Sequence, residues 1–196
     1  MNDIATQDEN VKKELLEYQG NILILANAGS GKTTFLAEKL ERDSKKLDNY
    51  QKLAAITFTR NATEEIKQKL IDIPENVVIS TIDSFLDKEI ILPFLDQRYE
   101  LATPLQFSFQ QEYKFNNFDI GLSQIMQNGI FATYDNTTAQ LGKNFKCEVA
   151  LDILIHTKSA SEYLKYKFNS LYIDEFQDCD QSMNDLFMYL KDELGI

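Results

Sequence analysis

Tryptophan is absent from this 196-residue chain, and cysteine, histidine and proline are scarce at two, one and three. Cys147, Cys179 and His156 are too few for a zinc site of the usual Cys/His kind or a disulfide framework, so the expected compartment is a reducing cytoplasm. Three Pro and seven Gly beside 43% hydrophobic residues exclude a low-complexity or wholly disordered chain. No uninterrupted apolar run reaches the roughly 18 residues of a membrane-spanning helix. The opening MNDIATQDEN is polar and acidic, unlike a secretory signal, and no membrane partner is expected. The length suits one domain, or one domain carrying an insertion.

Positive charge is also short. The net charge is −11, and the last 23 residues alone carry seven acidic side chains against one lysine. Phosphate contacts normally need Lys and Arg, so an acidic chain is a poor stand-alone binder of nucleic acid.

What is present is an alternation of strand and helix patterns. A polar helix over 7–18 leads into Asn21-Ile22-Leu23-Ile24-Leu25, an apolar run of the length of a buried parallel strand. A helix is expected from Lys32 to Arg42, a strand at Leu53–Ile56, a helix from Asn61 to Ile71 and a strand at Val77–Ile79. A helix from about Ser84 is expected to stop before Pro93, because the residue before proline avoids helical geometry. Residues 93–145 differ in character, with nine of the 22 Phe and Tyr between 94 and 134. They read as a small, mainly helical insertion with its own core. A stacking surface for single-stranded bases is the alternative, but only Lys114 and Lys143 supply positive charge between 99 and 145. A single helix over 146–167, the strand Leu171–Ile173 and a helix from Gln181 complete the pattern. The expected fold class is α/β, a parallel sheet with helices on both faces and nucleotide at the strands' carboxyl ends. Residues 1–92 and 146–196 would form one domain around the insertion 93–145.

The strongest motif is Ala26-Asn27-Ala28-Gly29-Ser30-Gly31-Lys32-Thr33, placed between an apolar run and a helix. Gly29 and Gly31 let backbone amides turn inward around a phosphate, and the new helix aims its N-terminal amides at the same anion. Lys32 supplies charge for the β- and γ-phosphates, and the Thr33 hydroxyl is placed to ligand Mg²⁺. Ala26 stands where the general pattern has glycine. The plain alternative, a glycine-containing turn, leaves the Gly-Lys-Thr helix opening unexplained. A second half of the site follows in Leu171-Tyr172-Ile173-Asp174-Glu175, an apolar strand ending in two carboxylates. Asp174 is suited to holding Mg²⁺, and Glu175 to orienting and deprotonating a water. Together the two motifs read as a hydrolytic nucleotide site.

The longer string Asp174-Glu175-Phe176-Gln177-Asp178 resembles the Walker B region of UvrD/Rep-like superfamily 1 DNA helicases, whose form is Asp-Glu-x-Gln-Asp. Ala-x-Ala-Gly-Ser-Gly-Lys-Thr is similar to their Walker A loop. Thr57-Phe58-Thr59-Arg60-Asn61-Ala62 resembles their motif Ia, and Ser80-Thr81-Ile82-Asp83-Ser84-Phe85 the next DNA-facing motif. The short insertion falls where these helicases carry subdomain 1B. Its length is similar to compact members such as the helicase subunit of the Gabija anti-phage system.

The resemblance implies a RecA-like P-loop domain taking ATP and Mg²⁺. Ala28, Gly29, Ser30, Gly31, Lys32, Thr33 and Thr34 would line the nucleotide, and Thr33 and Asp174 would hold the metal. Glu175, Gln177 and Lys32 would be catalytic, with Gln177 sensing the γ-phosphate. Thr57, Phe58, Thr59, Arg60, Thr81 and Ser84 would lie along single-stranded DNA. Phe58 could equally be a core aromatic, and Thr81 and Ser84 helix caps. Gln7 is the candidate adenine reader, although its spacing to Asn21 is long.

The second RecA-like domain, which in this family brings arginines to the γ-phosphate, is not among the 196 residues. The chain is therefore expected to bind ATP but hydrolyse it poorly by itself, since such arginines are worth about 10³–10⁵ in rate at related sites. Two other readings stay open. One is a helicase-derived interaction module for a partner nuclease or defence protein; the other is a P-loop ATPase acting on something other than DNA.

Overall fold

The computed structural model describes residues 2–25, 29–48, 50–100, 106–107, 118–128, 130–131 and 144–196. In chain order the helices are α1 (Asn2–Glu17), α2 (Lys32–Ser44), α3 (Arg60–Lys69), α4 (Ile82–Leu86), α5 (Leu92–Arg98), α6 (Phe118–Asn128), α7 (Phe145–His156), α8 (Lys158–Lys167) and α9 (Gln181–Tyr189). The strands are β1 (Lys52–Thr57), β2 (Val77–Thr81), β3 (Gln106–Phe107), β4 (Ile130–Phe131) and β5 (Phe168–Ile173). Two compact units result, one of Met1–Thr81 with Asn169–Asp174, the other of Ile82–Phe168 with Glu175–Ile196.

The first unit is built on β1. After Lys52 every residue of this strand is buried, so both of its faces are covered, as in a central parallel strand. It pairs in parallel with β2, from Leu53 opposite Val77 to Thr57 opposite Thr81, and has β5 on its other side. Alternation puts Leu53 and Ala55 on one face, where they meet Ala37 and Leu40 of α2, Ile66 of α3, Leu70 and Val77. The spacings 37/40 and 66/70 keep each apolar pair on one side of its helix or helix end. Fully burying a leucine such as Leu40 or Leu53 contributes about 1.5–3 kcal/mol. A parallel sheet flanked by helices is thus present, as the sequence predicts.

The run Asn21–Leu25 differs from its expectation. It carries no strand pairing, and Leu23 and Leu25 are 65% and 83% exposed. An apolar segment becomes a buried strand only where a ladder partner and a covering layer exist. The described sheet ends at β5, whose residues 169–173 are themselves only partly covered.

In the second unit α7 is the central helix, touching α4, α5, α6, α8 and α9. It buries Phe145, Cys147, Val149, Ala150, Ile153 and Leu154, an apolar surface wider than one stripe, as suits a helix enclosed by others. Within residues 93–145 the described elements are most of α5, helix α6 and the short parallel pair β3–β4.

Two helix expectations are corrected. Pro93 does not end its helix: a wide turn over Asp87–Ile91 joins α4 to α5, with the Leu92 N–H reaching back to the Asp87 carbonyl. That places Pro93 in the first turn of a restarted helix, where no N–H is required. The stretch 146–167 is two helices, not one. Thr157 leaves helical geometry at φ −121° and ψ 94°, its N–H closing α7 on the Ile153 carbonyl at 2.8 Å. The break lets Ala160 and Leu164 of α8 be buried as well as the α7 core. No described helix is long and apolar enough to cross a membrane.

Candidate functional site

Gly29 and Gly31 both have left-handed backbones, with φ 77° and 86°. No atom lies within 4 Å of where a Cβ would stand on either, so conformation and not crowding calls for glycine. The same open space leaves room for an anion against the backbone. Gly31 caps α2, and its carbonyl accepts the first helical bond from the Phe35 N–H at 2.9 Å. Lys32 and Thr33 are the first two helical residues, half-buried, while Ser30 and Thr34 are exposed. No side-chain cap and no acidic residue occupies this first turn, so its amides keep their positive character. Ala28, with Ala26 and Asn27, lies outside the described residues.

The direction of α2 decides where the loop points. Its last residue, Ser44, accepts through its carbonyl from the Asn76 amide at 2.8 Å, and Asn76 immediately precedes β2. The helix therefore ends at the amino edge of the sheet and starts toward the carboxyl edge. Asp174 is at that carboxyl edge, its N–H donating to the Ile56 carbonyl near the end of β1 at 2.9 Å. Lys32, Thr33 and Asp174 thus belong to one unit and one end of it.

Glu175 and Gln177 open the second unit's C-terminal segment. Glu175 has φ 55° and ψ 43°, the one non-glycine residue with positive φ among the described residues. That conformation costs an L-residue about 1–2 kcal/mol. The Gln177 amide donates to the Glu175 carboxylate.

The DNA-facing candidates divide. Thr57 is fully buried, its hydroxyl donating to the Thr59 carbonyl at 3.0 Å and sharing a 2.7 Å bond with the Thr63 hydroxyl. Its hydroxyl therefore ties the end of β1 to the start of α3. Thr59 caps α3, accepting from the Ala62 N–H at 3.1 Å, and is exposed beside exposed Arg60. Phe58, Thr81 and Ser84 are half-buried, and α4 starts at Ile82 directly after Thr81. Thr81 closes the first unit's β2, whereas Ser84 belongs to the second unit. Gln7 lies on α1, but its side chain is outside the described residues.

Sequence reasoning overlooks two features. Thr63 completes the threonine cluster and is signalled only by its spacing of four from Thr59. Lys39 and Asp43 form an ion pair at 2.9 Å with only 5% and 7% exposure, and the signal was two charged residues flanking the core residue Leu40 on α2. Burial, and then Asp180 and Asp83, pushes the Cys147 thiol well above the ordinary range. His156 is half-exposed, its ring beside the Asp152 carboxylate at 3.1 Å.

No group of three or more metal-ligating side chains gathers among the described residues. Mg²⁺ does not require one, since it is usually held by one or two protein oxygens plus substrate phosphates and water. Thr33, Asp174 and the open glycine turn fit Mg²⁺ with a nucleotide in donor type and in placement at one edge.

The chain is 39% identical over 186 residues to the Gabija protein GajB of Bacillus cereus, covering 94% of this chain and 37% of that protein. It is 42% identical over 60 residues to an ATP-dependent helicase/nuclease subunit of Lactiplantibacillus plantarum, covering 30% of this chain and 5% of that protein. The same-named protein of Lactobacillus acidophilus is 25% identical over 182 residues, covering 79% of this chain and 15% of that protein. The chain thus spans little more than a third of the length of GajB and less of the others. The family model of the UvrD/REP helicase N-terminal domain matches residues 7–141, and the chain belongs to that family.

Proposed function

We propose that this chain is the ATP-binding domain of a helicase that translocates on single-stranded DNA, coupling ATP hydrolysis to unwinding. The observation that carries the reading is the left-handed Gly29/Gly31 turn opening α2 at the sheet edge where β5 delivers Asp174. In this reading Gly29, Ser30, Gly31 and the first α2 amides bind the triphosphate, and Lys32 neutralises its β- and γ-oxygens. Thr33 and Asp174 hold Mg²⁺, which when bound withdraws charge from the phosphate oxygens. Glu175 takes a proton from the attacking water, and Gln177, its hydrogen-bond partner, couples that carboxylate to the γ-phosphate. Thr59 and Arg60 meet the DNA from the exposed start of α3, with Phe58, Thr81 and Ser84 beside the path and Thr57 behind it. Gln7 is the proposed adenine contact. A second RecA-like domain supplies arginines to the γ-phosphate. A nuclease is the proposed protein partner, in keeping with the names of the helicase/nuclease relatives.

The test is DNA-stimulated ATP turnover by the protein that carries this domain. Glu175→Gln is expected to lower turnover by about 10²–10⁴ while ATP affinity holds, the range for a general base. Turnover within a fewfold of wild type would exclude Glu175 from that role.

A further inference from the structure

Inside the first unit lies a buried ionic node that the nucleotide reading does not use. Lys39 and Asp43 sit one turn apart on α2. The Lys39 ammonium also donates to the carbonyls of Leu16 at 2.9 Å and Tyr18 at 2.7 Å, at the end of α1. The Asp43 carboxylate accepts from the Tyr172 hydroxyl at 2.7 Å, the Gln19 amide at 3.2 Å and Lys46 at 3.3 Å. One ion pair therefore grips α1 on one side and β5 on the other. Well-packed apolar residues would serve stability as well as a buried ion pair does, so a role in fixing geometry is the better account of its presence here.

The two ends of this grip lead to the site. Tyr172 precedes Asp174 by two residues on a strand, and α2 begins at the phosphate loop, roughly 16 Å along the helix from Asp43. We propose that the Lys39–Asp43–Tyr172 node is a positioning device of the nucleotide site, holding the strand that bears Asp174 against the helix that opens from the phosphate loop. Mg²⁺-dependent nucleotide binding then depends on a hydrogen bond remote from the nucleotide. The inference rests on the nucleotide reading above.

The test uses Tyr172→Phe, which removes one hydroxyl from the node. ATP affinity is titrated with Mg²⁺ and with EDTA, alongside thermal melting. Wild type is expected to gain affinity from Mg²⁺, and Tyr172→Phe to lose about tenfold of that gain with its EDTA affinity unchanged, the scale of one hydrogen bond to a charged group. Asn76→Ala serves as comparison, since it deletes a hydrogen bond of the same unit, that to Ser44, without touching β5. It is expected to lower the melting temperature and leave the Mg²⁺ gain intact. An unchanged Mg²⁺ gain in Tyr172→Phe, or an equal loss in both variants, would overturn the positioning role. Wild-type chain that binds no ATP would overturn the nucleotide reading, and this inference with it.

Discussion

Glu175 holds a backbone that glycine would adopt without cost. Glu175→Gly is expected to raise stability by about 1 kcal/mol in urea denaturation, while Glu175→Ala, which keeps the strain, gives no gain. Equal effects of both would deny that strain is stored there. The thiols give a second residue-scale expectation. Burial first, and then Asp180 and Asp178, pushes Cys179 up to about 11, and Cys147 is fully buried. At pH 8 Cys179 is expected to alkylate well below the rate of a free thiol, and Cys147 only after unfolding. Prompt labelling of both in the native chain would contradict the packing. The turn at Gly29 and Gly31 was legible in the sequence because glycine alone takes its left-handed φ without cost. The Glu175 conformation was not, because nothing in a glutamate announces positive φ. The burial of Thr57 was not legible for a similar reason, since a threonine hydroxyl suits an outer ligand and an inner partner equally.

Elements were legible where a local signal settles them. The cap Thr59 before α3 was not read as one, standing only as a DNA-facing candidate, yet Thr59→Ala is expected to cost about 1 kcal/mol in chemical denaturation by removing the cap on the Ala62 N–H. A loss under a few tenths would mean that the Thr57–Thr63 bond alone secures the junction. Strand β1 and the run Asn21–Leu25 look alike in sequence, yet one is buried and the other exposed. Apolar composition states what a segment would gain from cover, while its neighbours decide whether cover exists. Pro93 shows the converse. A local breaker moves a boundary only if the surrounding helix cannot widen or restart, and here the turn at Asp87–Ile91 absorbs the proline.

Across the molecule, net charge and buried carboxylates set the response to pH. Burial pushes Asp43 up, but the Tyr172 hydroxyl, Lys39 and the Gln19 amide outweigh it and hold the carboxyl below its usual range. Its stabilising share is therefore present above about pH 4, the ordinary aspartate value, and is lost as pH falls through the lower folded value. Asp87 and Asp180 are pushed up chiefly by burial, and so act in the opposite sense, with stability lost as pH rises through their folded values. A urea-stability profile from pH 3 to 7 is expected to lose part of its acid slope in Asp43→Asn. A slope identical to wild type would mean that Asp43 does not titrate with folding. The −11 charge is unfavourable for phosphate contacts, and charge alone names no partner.

The central claim is that the glycine turn and Asp174 form one working Mg-ATP site, and calorimetric titration tests it most directly. Wild-type chain is expected to bind Mg-ATP saturably and with unit stoichiometry, and Lys32→Ala to abolish that heat while melting as wild type does. Absence of binding by wild-type chain, or undiminished binding by Lys32→Ala, would contradict the account.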